Sequence, residues 1–379
     1  MSIVSKAEQI GKLFVEIVAE IARRLEVLEG GTPEYGRLIV TTTPVEGEVF
    51  VDGKSWGVGY VSVELKQGEY EVSFGAVDGY TTPDTIDVTI VAGADTIIKV
   101  EYTKIPSEIN DFMIQYGNVD LSAIGATKYD LVVIDYARYG DATTKWTKEQ
   151  IEGLRNSPGG HKTVLAYICP SMASDYRYYW KSSWRPGSPE WLGNLSNWAG
   201  SYWAKYWYKE WQNIIYGDPN AYVDQVIAQG FDGVFLDVVD AYWIWPSRPT
   251  AKSEMAEFVT DITKYSRQFK KNFFVLTNGG DGLHEYPEYV EAINGVCKES
   301  VYYGYGGDNI KTPPNATSYM EANLDQFILK EKLVFNLDYT QTPEQIDDSY
   351  HKAKLKQYIN MCGVSSLNQL IINPGHEPD

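Results

Sequence analysis

The spacing of hydrophobic and polar residues changes its rhythm along this chain, and each rhythm predicts a different element. Over residues 1–29 the apolar positions Ile3, Ala7, Ile10, Phe14, Ile17, Ile21, Leu25 and Leu28 recur in a mostly 4-3 pattern, that of a helix with a coiled-coil seam. A helix striped in this way cannot bury its apolar face alone, so residues 1–29 are expected to form a homo-oligomer; the other reading is one amphipathic helix lying on its own protein. Gly30-Gly31-Thr32-Pro33 then reads as a linker. From 37 to 103 the pattern alternates in strand fashion, with candidate strands at 38–41, 48–51, 60–63, 70–74, 86–90 and 97–100. The turn pairs Asp52-Gly53 and Asp78-Gly79 punctuate them, and the segment predicts a small antiparallel sandwich.

From residue 108 to the end, at 379, short apolar runs alternate with helical stretches such as 219–229 and 252–271. Eight candidate strands stand at 111–116, 131–135, 163–168, 234–237, 273–278, 295–299, 333–338 and 368–372. Strand and helix in regular alternation predict a parallel sheet, and eight repeats predict its closure into a (β/α)8 barrel of the α/β class. Several of these strands end in polar groups: Asp135, Asp237, Asn278, Glu299 and Asp338. In a barrel the carboxyl ends converge on one face, where such enzymes keep their chemistry. The sharpest case is Gly230-Phe231-Asp232-Gly233-Val234-Phe235-Leu236-Asp237-Val238-Val239-Asp240, a buried strand that stops abruptly in carboxylates. The plainer reading of such an Asp is a helix cap.

Glycoside hydrolysis needs two carboxyl groups flanking one bond, one to protonate the leaving oxygen and one to attack or to activate water. Asp237 and Glu299 suit those roles. Glu299 follows an apolar strand and precedes Val301-Tyr302-Tyr303, so it is the one expected to carry a raised pKa, with Asp237 the ionised partner. Tryptophans 180, 184, 191, 198, 203, 207 and 211 crowd one tyrosine-rich segment. Flat rings of this kind are platforms for sugar faces, and at least one or two are expected at the cleft, although 203, 207 and 211 also recur at helical spacing and suit core packing.

Composition narrows the partners. A net charge of −18 opposes binding to nucleic acid or anionic membranes. Cys169, Cys297 and Cys362 are too few and too scattered for a disulfide framework, and four dispersed histidines give no metal-ligand spacing, so no metal site is expected. No apolar run reaches the length of a membrane span, and the amino terminus lacks the pattern of a secretory signal.

Two resemblances add to this reading. Thr43-Pro44-Val45-Glu46-Gly47-Glu48-Val49-Phe50-Val51-Asp52-Gly53-Lys54, with Gly57, Gly68-Glu69-Tyr70 and Gly79-Tyr80, resembles a PEGA domain, which implies an accessory module without catalytic residues. The motifs Asp135-Tyr136, Asp175-Tyr176-Arg177-Tyr178-Tyr179-Trp180, Trp191-Leu192-Gly193, Tyr206-Trp207, Glu210-Trp211-Gln212, Gly230 to Tyr242, Asn278-Gly279 and Glu299 are similar to glycoside-hydrolase-like barrels related to endo-α-1,4-polygalactosaminidases. That likeness runs over about residues 110–373. It implies a (β/α)8 barrel, cleavage of a galactosaminoglycan-type polysaccharide without a cofactor, and Asp237 with Glu299 as the acidic pair. Around them Asp135, Tyr136, Tyr167, Asp175, Tyr176, Trp207, Asp240, Asn278, Tyr303 and Asp338 are expected to contact substrate. One departure stands out: relatives carry a Gly-Glu-Ala-Glu type run where this chain reads Ser171-Met172-Ala173-Ser174.

Two functions follow as expectations. The first is a glycosidase acting on a microbial surface or matrix polysaccharide. The second is a non-catalytic oligomer that displays a glycan-binding barrel on a cell surface or a virus particle, motivated by the helix, the accessory module and the altered acidic loop.

Overall fold

The computed structural model describes residues 34–43, 45–77, 80–104 and 109–379. The helix expected over 1–29 with its oligomer, the linker at 30–33 and the turn at Asp78-Gly79 lie outside the described residues. The chain divides into two compact units between residues 107 and 108.

In the second unit eight parallel strands form one sheet in sequence order: β1 Phe112–Gln115, β2 Leu131–Asp135, β3 Thr163–Ile168, β4 Gly233–Leu236, β5 Phe274–Asn278, β6 Gly295–Glu299, β7 Leu333–Tyr339 and β8 Ile359–Gly363. Continuous Val, Ile and Leu runs such as Leu131-Val132-Val133-Ile134 are buried throughout, as strands covered on both faces must be. The seam between β1 and β8 is closed beyond the ladder, where Tyr116 N–H donates to Leu367 O at 2.7 Å and Asn118 Nδ2 to Asn368 O at 3.1 Å. The result is a (β/α)8 barrel.

The helices alternate with the strands: α1 Leu121–Gly125, α2 Lys148–Arg155, α3 Lys209–Ile215, α4 Tyr222–Ala228, α5 Ala251–Ser266, α6 Pro287–Ala292, α7 Pro314–Ile328 and α8 Pro343–Leu355. Their starts are written locally. Asp120 caps α1, Thr147 and Gln150 form a reciprocal capping box on α2, and prolines open α6, α7 and α8, where a missing N–H costs nothing. Among the described residues no helix is long and apolar enough to cross a membrane.

The eighth strand differs from the expectation. Residues 368–372 run without a ladder, and Ile359–Gly363 takes the place beside β7. Asn360 disguises it: this polar residue is buried because Asn336 Nδ2 donates to its Oδ1 at 2.6 Å and its own Nδ2 donates to Ser349 Oγ at 3.1 Å. The other seven strands stand within a residue or two of the positions read from the sequence.

The connection from β3 to α3 is long and carries its own antiparallel sheet, Met172–Ser174, Ser201–Ala204 and Leu192–Leu195, with Ser201–Ala204 in the middle. At the amino end of β4, Asp232 accepts from Arg155 Nε at 3.0 Å, Lys270 Nζ at 2.8 Å and Val164 N–H at 3.0 Å, which ties the bottom of the barrel together. Gly233 follows because a Cβ there would stand 1.9 Å from Phe274 O of the neighbouring strand.

The first unit packs a three-stranded sheet, with Tyr35–Thr43 between Tyr60–Lys66 and Asp95–Glu101, and a four-stranded sheet ordered Lys54–Val58, Glu48–Val51, Gly68–Phe74, Ile86–Ile90. Leu38, Val40, Val49, Val72, Ile90 and Val100 form its core. Asp52 and Gly53, with φ of 48° and 72°, make the two-residue hairpin turn their sequence predicts. One pairing departs from the antiparallel expectation: Tyr35–Thr43 runs parallel to Asp95–Glu101, since the unit's last long strand returns beside its first rather than beside its predecessor.

Candidate active site

The ladder of β4 continues one residue past Leu236, Asp237 N–H donating to Ile168 O at 2.8 Å. Val238 then adopts a φ of 55°, a left-handed conformation that β-branched residues rarely take, and the turn holds the Asp237 side chain at the barrel mouth. Its Oδ1 accepts from Val238 N–H at 2.9 Å and Asn278 Nδ2 at 2.8 Å, and its Oδ2 from Tyr167 Oη at 2.9 Å. The same Asn278 nitrogen donates to Glu299 Oε1 at 2.7 Å. Tyr339, at the end of β7, lines the same cavity as Glu299. Tyr167, Asp237, Asn278, Glu299 and Tyr339 thus come from five consecutive strands, β3 to β7, and meet on one side of the rim.

Because both bonds leave one nitrogen, Asp237 Oδ1 and Glu299 Oε1 can be no farther apart than lengths of 2.8 and 2.7 Å laid end to end. Burial, and then the charge of Glu299, push the pKa of Asp237 up to about 7 against the three hydrogen bonds it accepts. Two carboxyls this close share a proton, and their titration belongs to the pair. Asp237, expected from the sequence to be the ionised partner, thus carries a raised pKa, because the closing of the barrel buries it beside Glu299.

The shift bears on stability. An unfolded Asp titrates near 3.9, so between that pH and about 7 the folded state holds a proton the unfolded state has lost. The contribution is complete below the unfolded value and disappears as pH rises to the folded one. Asp237→Asn carries no charge to bury and should be more stable than the parent at pH 8 by on the order of 2 kcal/mol, with no gain near pH 4. Urea unfolding at the two pH values checks this, and equal differences at both would contradict it.

A cavity of about 780 Å³ opens above the pair, a size typical of ligand sites. Of the residues expected from sequence, Tyr167, Tyr176, Asp237, Asp240, Asn278 and Glu299 line it. The others lie elsewhere. Asp135 is buried and held bidentately by Arg177, at 2.8 and 2.7 Å. Tyr136 is buried among Tyr178, Tyr222 and Arg177. Asp175 is exposed beside Gly200, outside the lining. Trp207 packs on Trp245, with Arg248 over its ring at 4.3 Å. Tyr303 donates to Asp348 Oδ2 at 2.6 Å. Asp338 is fully buried and accepts from Tyr302 N–H at 3.0 Å and Ser349 Oγ at 2.7 Å. Strand alternation explains the last case: Tyr339, one residue on, is the one that faces the cavity.

Residues not singled out from the sequence also line the cavity: Tyr116, whose ring packs on Tyr167 at 4.5 Å, Arg177, Trp243, Lys298, Tyr339 and Cys169. Lys298 Nζ lies 2.7 Å from Asp281 and 3.9 Å from Asp240. Its place directly before Glu299, a charge inside an otherwise apolar strand, is the signal that could have found it. Cys169 has a thiol pushed up to about 12 by burial and then by Asp237. Of the seven clustered tryptophans only Trp198 lines the cavity. Trp180, Trp184, Trp191 and Trp211 pack on one another in a row at ring distances of 4.8 to 5.4 Å. The apparent helical spacing of 203, 207 and 211 spans a strand, a loop and α3.

The model of glycoside-hydrolase family GH114 matches residues 93–372, well over half of the chain. The chain belongs to glycoside-hydrolase family GH114. Similar sequences include uncharacterized proteins of Thermotoga maritima, 28% identical over 300 residues covering 74% of this chain and 88% of the relative, and of Methanocaldococcus jannaschii, 34% identical over 262 residues covering 65% and 72%. Among solved structures, the glycoside hydrolase domain of PelA from Pseudomonas aeruginosa superimposes with a TM-score of 0.54 at 16% identity, over 69% of this chain and 98% of that one. At that identity the likeness speaks for the barrel alone. Family membership makes this GH114 barrel a glycoside hydrolase.

Proposed function

We propose that the barrel is a retaining glycosidase of an amino-sugar polysaccharide, with Asp237 as nucleophile and Glu299 as general acid and base. The observation that carries this is the single Asn278 nitrogen bridging both carboxyls. It holds their facing oxygens within the roughly 5–5.5 Å of retaining enzymes and well short of the roughly 6.5–9.5 Å that leaves room for an inverting water. Three donors converge on Asp237 and favour its ionised form against its burial, and catalysis requires the one proton shared by the pair to reach the leaving oxygen through Glu299. In the first step Asp237 attacks the anomeric carbon while Glu299 protonates the departing oxygen. In the second, Glu299 takes a proton from water, which displaces the Asp237 ester.

The choice of an amino sugar rests on charge. Arg177 is neutralised by Asp135, and Lys298 by Asp281. Asp240 and the singly charged pair then leave the cavity negative, which favours a ligand carrying ammonium groups. The resemblance to galactosaminoglycan-cleaving barrels points to the same class. Reducing-end release from a panel of polysaccharides, partly deacetylated α-1,4-galactosaminoglycan included, with proton NMR of the first anomer formed, tests both parts. Product that first appears with inverted configuration would overturn the assignment of Asp237. The rate should also depend on the proton of the pair: kcat/KM is expected to fall above about pH 7, the value to which Asp237 is pushed, since the acid is lost there. A profile flat from pH 6 to 9 would contradict it.

Residues 37–103 read best as a PEGA-like accessory module, supported by their motif and strand pattern. The oligomer and its display on a cell or particle rest on residues 1–29.

A further inference from the structure

The catalytic pair uses little of the cavity's aromatic lining. Trp198 and Trp243 both line it, yet they are 54% and 59% exposed, an unusual state for the largest apolar side chain. They come from different elements. Trp198 sits in the turn between Leu192–Leu195 and Ser201–Ala204, and Trp243 in the 3-10 turn Ala241–Ile244 that follows Asp240. Trp203, 8% exposed, stands between them with ring centroids 6.2 and 6.0 Å away, edge-on to each.

Neither ring is loose. Ser196 Oγ accepts from Trp198 N–H at 3.1 Å, Ser201 N–H donates to Trp198 O at 3.0 Å, and Gly200 completes the turn with a φ of 74°. Trp243 N–H donates to Asp240 O at 3.3 Å. Two exposed indoles, fixed in backbone and sharing one buttress, give large apolar surface at little cost in conformational entropy.

We propose that Trp198 and Trp243 form a rim that binds pyranose units of the polysaccharide beyond the bond being cleaved, and so select long chains over short ones, a role that rests on the glycosidase reading above. The occupant is fixed by continuity: both rings line the cavity that holds Asp237 and Glu299, so a chain engaged at the pair leaves across them. Sugar rings present C–H faces that suit stacking, and the rim meets them outside the charged floor.

The test compares the full chain with Trp198→Ala and Trp243→Ala on partly deacetylated α-1,4-galactosaminoglycan and on the shortest oligosaccharide of it that the parent cleaves. Phe269→Ala, a control for an exposed aromatic just beyond the end of α5 that does not line the cavity, should match the parent. Each tryptophan variant is expected to lower the ratio of polymer to oligosaccharide kcat/KM by about ten-fold, through KM. An unchanged ratio, with or without an equal loss on both substrates, overturns the proposal. Retardation of Glu299→Gln in gels containing the polymer separates the two readings: with a parent that cleaves nothing, retardation that persists after both tryptophans are removed still overturns the rim, and retardation that they abolish upholds it as a binding surface.

Discussion

Glu299→Gln is expected to leave a folded protein whose release of reducing ends falls by at least about 10³-fold, and Asp237→Asn to do the same. In Glu299→Gln the new amide keeps an oxygen to accept from Asn278, so the bridge between the two side chains survives while the transferable proton does not. In Asp237→Asn the amide oxygen still accepts from Val238 and Asn278, and the nucleophile is gone. The two variants should differ in how azide rescues them on a substrate with a good leaving group. In Glu299→Gln azide displaces the Asp237 ester and the glycosyl azide keeps the anomeric configuration of the substrate. In Asp237→Asn azide displaces the leaving group directly and inverts it. Parent-like activity in either variant would remove that residue from the chemistry.

The largest expected effect on stability lies at the wall of the cavity. Arg177 and Asp135 are both buried and joined by two short bonds, and the guanidinium lies 4.9 to 5.9 Å from the rings of Tyr136, Tyr167, Tyr176 and Tyr222. Arg177→Ala strands the Asp135 charge in that setting and should cost about 3–5 kcal/mol in urea unfolding. Replacing both partners, Asp135→Leu with Arg177→Met, removes the stranded charge and should recover most of the loss. A double variant as unstable as the single one would show that the guanidinium matters for its packing on the tyrosines and not for its charge. Activity should fall with Arg177→Ala as well, because Tyr167 donates to Asp237 and rests against the same guanidinium.

The barrel is legible in the sequence because its signal is repeated: seven runs such as Val234-Phe235-Leu236 are apolar on both faces and stop at turns. Asp237 and Glu299, which the fold brings together, stand out for a related reason, since each ends an apolar run abruptly in a charge. Which way such an acid points is not written locally. Asp338 and Tyr339 differ by one residue and face opposite sides, and Asp135 serves Arg177, which lies 42 positions away in the chain. Asn360 hides the last strand because its burial depends on Asn336 and Ser349 from other elements. The tryptophans mislead in the same manner: most of them pack on one another, and only the fold separates Trp198 from that cluster.

The wall that bears Trp198 is not part of the barrel's repeating frame. It is a three-stranded insertion within one connection, while the carboxyls stand on the strands themselves. Half of the proposed rim, Trp198, therefore stands on a stretch of chain separable from the carboxyls, while Trp243 follows closely on Asp237. The hairpin of residues 192–204, which leaves Arg177 and both carboxyls in place, should be exchangeable among members of this family, altering the part of the rim that Trp198 supplies while the reaction stays the same.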